Sequence, residues 1–208
     1  MNKILFNTFI FFLFASSLHA QNDTVYQKYS SGRIKSKGIM KDQMREGLWF
    51  FYYPNGVLSA HESYSNDMLS GIAYYYDTLS HLVSKEQWVN GTEQDSAWYF
   101  HPNGCLKRAG KYNYGMYIGE WHTFYDNGRI KNIGSYVNGT PNGIWQFFNE
   151  KGIISEEYTY TNGIRNGPAK LYTKKGIVYA SGNMKNDLTS GEWLYFNNSG
   201  KVKKRVMY

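Results

Sequence analysis

The sequence predicts an all-β protein: an elongated single-layer antiparallel sheet of tandem 24-residue β-hairpin repeats, twisted or coiled along its length. Three observations carry that prediction. The composition joins 20 Tyr, 12 Phe and 21 Gly to only 4 Pro, and these residues favour strands and tight turns. Glycine recurs every 24 residues, at Gly32, Gly56, Gly104, Gly128, Gly152, Gly176 and Gly200, with Ser80 in the remaining place. Aromatic and aliphatic residues fall into columns at the same spacing, the mark of a repeat architecture.

The first segment, Met1 to Ala20, reads as a secretory leader. Lys3 gives a short positive start, Ile4 to Leu18 is mostly apolar, and Leu18-His19-Ala20 is a plausible cleavage site. The apolar run is shorter than the roughly 20 residues that a membrane span needs. The expectation is export to the periplasm, association with the outer envelope, or secretion. Gln21 to Tyr208 is then one repeat domain of nearly eight units.

Within a unit, the first strand ends four residues before the glycine on an aromatic: Tyr52, Tyr76, Phe100, Phe124, Phe148, Tyr172 or Phe196. The turn follows. In Tyr53-Pro54-Asn55-Gly56 the proline presets φ, the asparagine tolerates the next position and the glycine takes the positive φ that closes a three-residue hairpin loop. The second strand opens on an aliphatic column, Ile34, Leu58, Leu82, Leu106, Ile130, Ile154, Val178 and Val202. It ends on Tyr64, Trp88, Tyr112, Tyr136, Tyr160 and Tyr208, with Met40 and Met184 as the non-aromatic members. Gly47, Gly71, Gly119, Gly143, Gly167 and Gly191, with Asp95 in the gap, are expected to mark the second turn. Sixteen such strands at ~4.8 Å would form a sheet about 75 Å long.

Gly143, Trp145, Phe148 and Gly152, followed by an aliphatic residue and then Tyr160, Asn162 and Gly163, resemble the MORN-repeat variant found in bacterial proteins. The same repeat defines the YwqK-type antitoxins. The resemblance extends from Thr24 to Tyr208, and it implies a hairpin solenoid that works as a binding or scaffold surface.

Strict alternation along the strands places Tyr52, Leu58 and Tyr64 on one face. It places Trp49, Phe51, Tyr53, Val57, Ser59 and His61 on the other. On that second face Trp49, Trp121, Trp145 and Trp193 recur, interrupted by Ala73, Ala97 and Ala169. With Tyr53, Tyr99 and Tyr125 they form the candidate binding strip, since Trp and Tyr dominate binding hot spots. The plainer alternative is that these rings only cover a thin sheet.

Other chemistry is sparse. A lone Cys105 closes no intramolecular disulfide. Asp77 facing His81 and His101 facing Cys105 are weak zinc candidates, because residues strung over four strands span about 14 Å and a tetrahedral site needs convergence. His61 and His122 are expected at the same turn-side rim. Glu62 and Glu86, one repeat apart, and the adjacent Glu156 and Glu157 read as solvated strand residues. The repeat builds no pocket for them. No catalytic residue, metal or cofactor is expected.

Without Lys3 the 23 Lys and Arg become 22 against 16 Asp and Glu, a charge of +6 in place of +7. That favours a protein partner with an acidic surface or an anionic envelope component, such as a lipid head group or glycan. Nucleic acid is not expected, since no nucleic-acid motif occurs. Lys201, Lys203, Lys204 and Arg205 are expected to guard the last strand's edge. Two functions remain: a non-enzymatic scaffold presenting a long β surface, and an antitoxin or immunity-type protein that neutralises its target by stoichiometric binding.

Overall fold

The computed structural model of the protein describes residues 23–208, and the leader expected at Met1 to Ala20 lies outside them. Among the described residues every regular element is a strand. The first six are β1 (Asp23–Lys28), β2 (Ile34–Lys41), β3 (Met44–Tyr52), β4 (Leu58–Ser65), β5 (Met68–Leu69) and β6 (Gly71–Tyr76). Next come β7 (Leu82–Val89), β8 (Thr92–Phe100), β9 (Leu106–Asn113), β10 (Met116–Phe124), β11 (Ile130–Val137) and β12 (Thr140–Phe148). The last are β13 (Ile154–Thr161), β14 (Ile164–Tyr172), β15 (Val178–Lys185), β16 (Leu188–Phe196) and β17 (Val202–Met207).

With β5 and β6 taken as one interrupted strand, each strand pairs antiparallel with its neighbour in sequence, so the described residues form one open meander. Seventeen strands replace the expected sixteen because Ser70 interrupts one of them. Its N–H still bonds the Ser63 carbonyl at 2.8 Å, and β4 pairs with both β5 and β6.

The three-residue turns form as the sequence predicts. The Tyr53 N–H donates to the Val57 carbonyl, the Gly56 N–H donates to the Tyr53 carbonyl, and Gly56 sits at φ 92°. Ser80 takes φ 72° in the place where the other units have glycine. The second connection differs from expectation. It is a two-residue turn such as Asn138-Gly139 or Asn66-Asp67, with both residues at positive φ, the geometry that matches strand twist. The Gly47 column lies inside the following strand instead, at a bulge: Lys37 pairs with Phe50 and Ile39 with Glu46, which leaves 47 to 49 opposite Gly38. Asp95 adopts φ 62° to serve there.

A second bulge overturns the expected sorting of faces. Tyr52 pairs with Leu58, yet Phe51 pairs with Ala60, so Ser59 is an extra residue. One extra residue reverses the direction of every side chain that follows it. Tyr64 therefore shares a face with Trp49 and Phe51, while Tyr52, Leu58 and His61 share the other with Phe50. The ring contacts agree: Trp49 lies 6.3 Å from Phe51 and 6.4 Å from Tyr64.

The face carrying the tryptophans is the core. Trp49, Trp121, Trp145 and Trp193 are buried, with exposures between 2% and 8%. Each indole lies on a glycine of the preceding strand, Gly38, Gly110, Gly134 or Gly182, where an added Cβ would overlap the ring. Each Nε1 donates to a backbone carbonyl: Ile39, Lys111, Ser135 or Asn183, at 3.1 to 3.3 Å. In three further units alanine stands in the tryptophan column, and the residue eleven positions earlier is Glu62 for Ala73, Glu86 for Ala97 and Tyr158 for Ala169. Large sits on small in either order, which is what close packing demands.

Candidate functional site

The structure assigns internal work to each residue of the expected binding strip. The four tryptophans form no open strip, because each is buried over its glycine. The Tyr53 hydroxyl donates to the Tyr76 carbonyl and the Tyr125 hydroxyl to the Phe148 carbonyl, both at 2.8 Å, tying each turn to the next hairpin. Tyr99 Oη lies 3.0 Å from Tyr112 Oη on the core face. There the Arg108 guanidinium covers its ring at 4.1 Å.

The weak metal candidates are likewise engaged at the turns. His81 Nδ1 lies 3.0 Å from Asp77 Oδ2, and His101 Nε2 lies 3.0 Å from the Phe124 carbonyl oxygen. Backbone bonds join Asp77 to His81 and His101 to Cys105, so the cross-turn pairing is as expected. Among the described residues no three His, Cys, Asp or Glu side chains converge as metal ligands. His61 and His122 are not at that rim: each stands in the third pair from its three-residue turn, His61 opposite Phe50 and His122 opposite Ile133.

Glu62 and Glu86 sit on the core face, where Ala73 and Ala97 leave room. Glu62 accepts from the Tyr64 hydroxyl at 2.5 Å, and Glu86 is buried. Burial, reinforced by these carboxylates, pushes the Tyr64 and Tyr75 phenols well above their ordinary range, so both remain protonated donors.

The opposite face holds an unbroken register row across the sheet. Lys37, Phe50, His61, Tyr74, Lys85, Trp98, Ala109 and His122 pair in succession from β2 to β10. Ile133, Gln146, Glu157, Lys170, Ser181, Leu194 and Arg205 continue it to β17. Phe50, Tyr74, Trp98 and His122 are half-buried. Leu48, Ile72 and Ile144, on the same face, are 45%, 39% and 59% exposed.

The row's first half alternates rings with basic side chains. Lys37 Nζ lies 5.2 Å from the Phe50 ring centroid, and Lys85 Nζ lies 5.7 Å from Tyr74 and 5.0 Å from Trp98. Such contacts are worth about 0.5–1 kcal/mol at exposed sites. His61 lies 6.2 Å from Phe50 and 4.4 Å from Tyr74, and burial between these rings lowers its pKa. In the second half Gln146 Nε2 and Lys170 Nζ both donate to Glu157, at 3.1 and 2.9 Å. The Lys170 hydrogen bond holds that carboxyl below its usual range.

Beside Trp98 a cleft of about 490 Å³ opens between β8 and β10, lined by Trp98, Leu106, Ala109, Ile118, Glu120 and His122 among others. Ala109 is the reason: it pairs with both Trp98 and His122 and is the one position of the row without a longer side chain besides Ser181. Glu120 Oε1 lies 2.5 Å from His122 Nε2 at the mouth. Strict alternation puts His61, and with it Lys85 and Ala109 in the equivalent places, on the tryptophan face, so the row cannot be assembled from the sequence without the bulge. One signal could have pointed to it: from 50 to 194 the 50, 74, 98, 122 column carries a different residue in every unit, whereas from 49 to 193 the column before it holds only Trp or Ala.

A family model described as the MORN repeat variant matches residues 45–66, 117–138 and 141–162. No curated protein matches the chain. Among solved structures, the chain is similar to a GtfA/B complex bound to UDP and GlcNAc, at 8% identity over 55% of this chain and 22% of that one, with a TM-score of 0.24. It is similar to a mutant of TarM from S. aureus, at 13% identity over 64% of this chain and 19% of that one, TM-score 0.19. A porin-like protein from Bacteroides uniformis aligns at 9% identity over 82% of this chain and 88% of that one, TM-score 0.22.

Proposed function

We propose that this chain, which carries MORN repeat variants, is a non-enzymatic exported scaffold that binds a macromolecular partner through the face opposite its tryptophans. MORN repeats are commonly protein- or membrane-binding modules. The observation that carries the reading is the contrast between the buried tryptophan face and the half-exposed aromatic row from Phe50 to His122. Aromatic side chains that keep exposed area beside Leu48, Ile72 and Ile144 can supply hot-spot contacts, and buried ones cannot. Export rests on the sequence of Met1 to Ala20.

The partner we propose is a protein rather than a lipid head group or glycan, because the exposed area is aromatic and aliphatic. The test is site-specific photocrosslinking in the native envelope fraction. A benzophenone side chain at Tyr74 or Trp98 should crosslink to one discrete protein, while the same probe at Thr123, on the core face, should not. Crosslinks at Thr123 alone, or none at either row position, would reject this face. A single stoichiometric complex too tight to exchange would move the reading to the immunity-type alternative.

A further inference from the structure

The first half of the row shows what the space between two of its rings accepts. Between Phe50 and Tyr74 the intervening strand supplies the His61 imidazole, and between Tyr74 and Trp98 it supplies the Lys85 ammonium. Between Trp98 and His122 the intervening residue is Ala109, and the cleft opens there instead. Trp98 and His122 stand two strands apart, about 9.6 Å. A planar group needs about 3.5–4 Å from the ring on either side of it, so one planar group fits.

Charge selects among planar groups. Glu120 brings a carboxylate to the mouth, 60% exposed, with one oxygen on His122. Lys111, which also borders the cleft, is ion-paired with Asp95 at 3.4 Å. With Lys111 balanced by Asp95, the Glu120 carboxylate is the charge left facing the opening. An apolar ring would gain nothing from that charge, and a sugar, which is not planar, would meet it through a neutral hydroxyl only. A guanidinium lies flat on an indole and donates to a carboxylate in the same pose.

We propose that the cleft between Trp98 and His122 receives an arginine side chain of the partner protein, completing from outside the row that His61 and Lys85 complete from within. This rests on the reading of the row face as the docking surface.

The experiment is an NMR titration of the ¹⁵N-labelled full chain with acetyl-Gly-Arg-Gly-amide, its citrulline counterpart and cellobiose, following the Trp98 indole N–H. The arginine peptide should shift that resonance, and the uncharged citrulline peptide should bind about tenfold more weakly. Glu120→Gln should weaken the arginine peptide several-fold. Ala109→Lys should abolish its binding, because the chain's own ammonium then fills the cleft. Equal binding of the citrulline peptide, a Trp98 shift by cellobiose alone, or unchanged binding in a folded Ala109→Lys variant would overturn the proposal. Should Ala109→Lys fail to fold, the exposed Glu120→Gln decides. Loss of arginine binding with crosslinking at Tyr74 intact would sink this inference and leave the docking face standing.

Discussion

Trp145 and Gln146 are neighbours in one strand, and so are Trp121 and His122, yet the two columns obey different rules. In the first column a side chain is set by what lies eleven residues earlier: tryptophan over glycine, alanine beside glutamate or tyrosine. In the second the series Phe50, Tyr74, Trp98, His122, Gln146, Lys170 and Leu194 takes a different residue in every unit. One face is fixed by packing within the sheet, and the other is left to vary. A single-layer sheet can divide frame from contact surface in this way because alternation sends adjacent residues to opposite sides.

The sharpest test of that division is to truncate one residue on each face. Trp145→Ala should lower unfolding free energy by about 3–5 kcal/mol, the usual cost of deleting a buried Trp, whereas Trp98→Ala, from a half-buried site, should cost under about 2 kcal/mol. Urea unfolding measures both. Equal losses would break the comparison.

Next in size is the glycine beneath the indole. Gly134→Ala should destabilise by about 1–3 kcal/mol through overpacking, and that cost should vanish when Trp145→Ala is already present, because the ring it meets is gone. A glycine cost that persists in the double variant would place its origin in the backbone instead.

The smallest effect belongs to the polar half of the row. Glu157's carboxyl is held low chiefly by the Lys170 hydrogen bond, with Gln146 adding to it. A carboxyl whose folded pKa lies below its unfolded value stabilises above the unfolded pKa and loses that contribution as pH falls through the folded one. Lys170→Met should therefore lower the melting temperature slightly at pH 7, and the gap from wild type should close below about pH 4. A gap that stays constant down to pH 3 would mean that Lys170 acts through its aliphatic stem.

Much of the frame was legible in the sequence because turn chemistry is local. Pro54, Asn55 and Gly56 each demand a backbone conformation, and the 24-residue spacing multiplies the signal. The facing of the strands was not legible by counting alternation, because the extra residue at Ser59 carries no marked composition and reverses parity for all that follows. Its trace lay in pairs rather than columns: glycines 38, 110, 134 and 182 precede the tryptophans by eleven residues, and larger residues precede the alanines. The cleft was beyond reach for the same reason, since Ala109 becomes an opening only once Trp98 and His122 are known to flank it.

The indole of each tryptophan borrows its seat from the strand before it, so the family's hairpin boundary cuts between the two. Residues 141–162 contain Trp145 but not Gly134. The unit that could be duplicated, deleted or shuffled without mismatch is therefore offset by about half a period, for instance 130–153, which keeps seat and ring together. A gene that lengthened by copying whole cassettes with that phase would inherit a fitted joint at every splice, and one cut at the hairpin ends would have to find each fit anew.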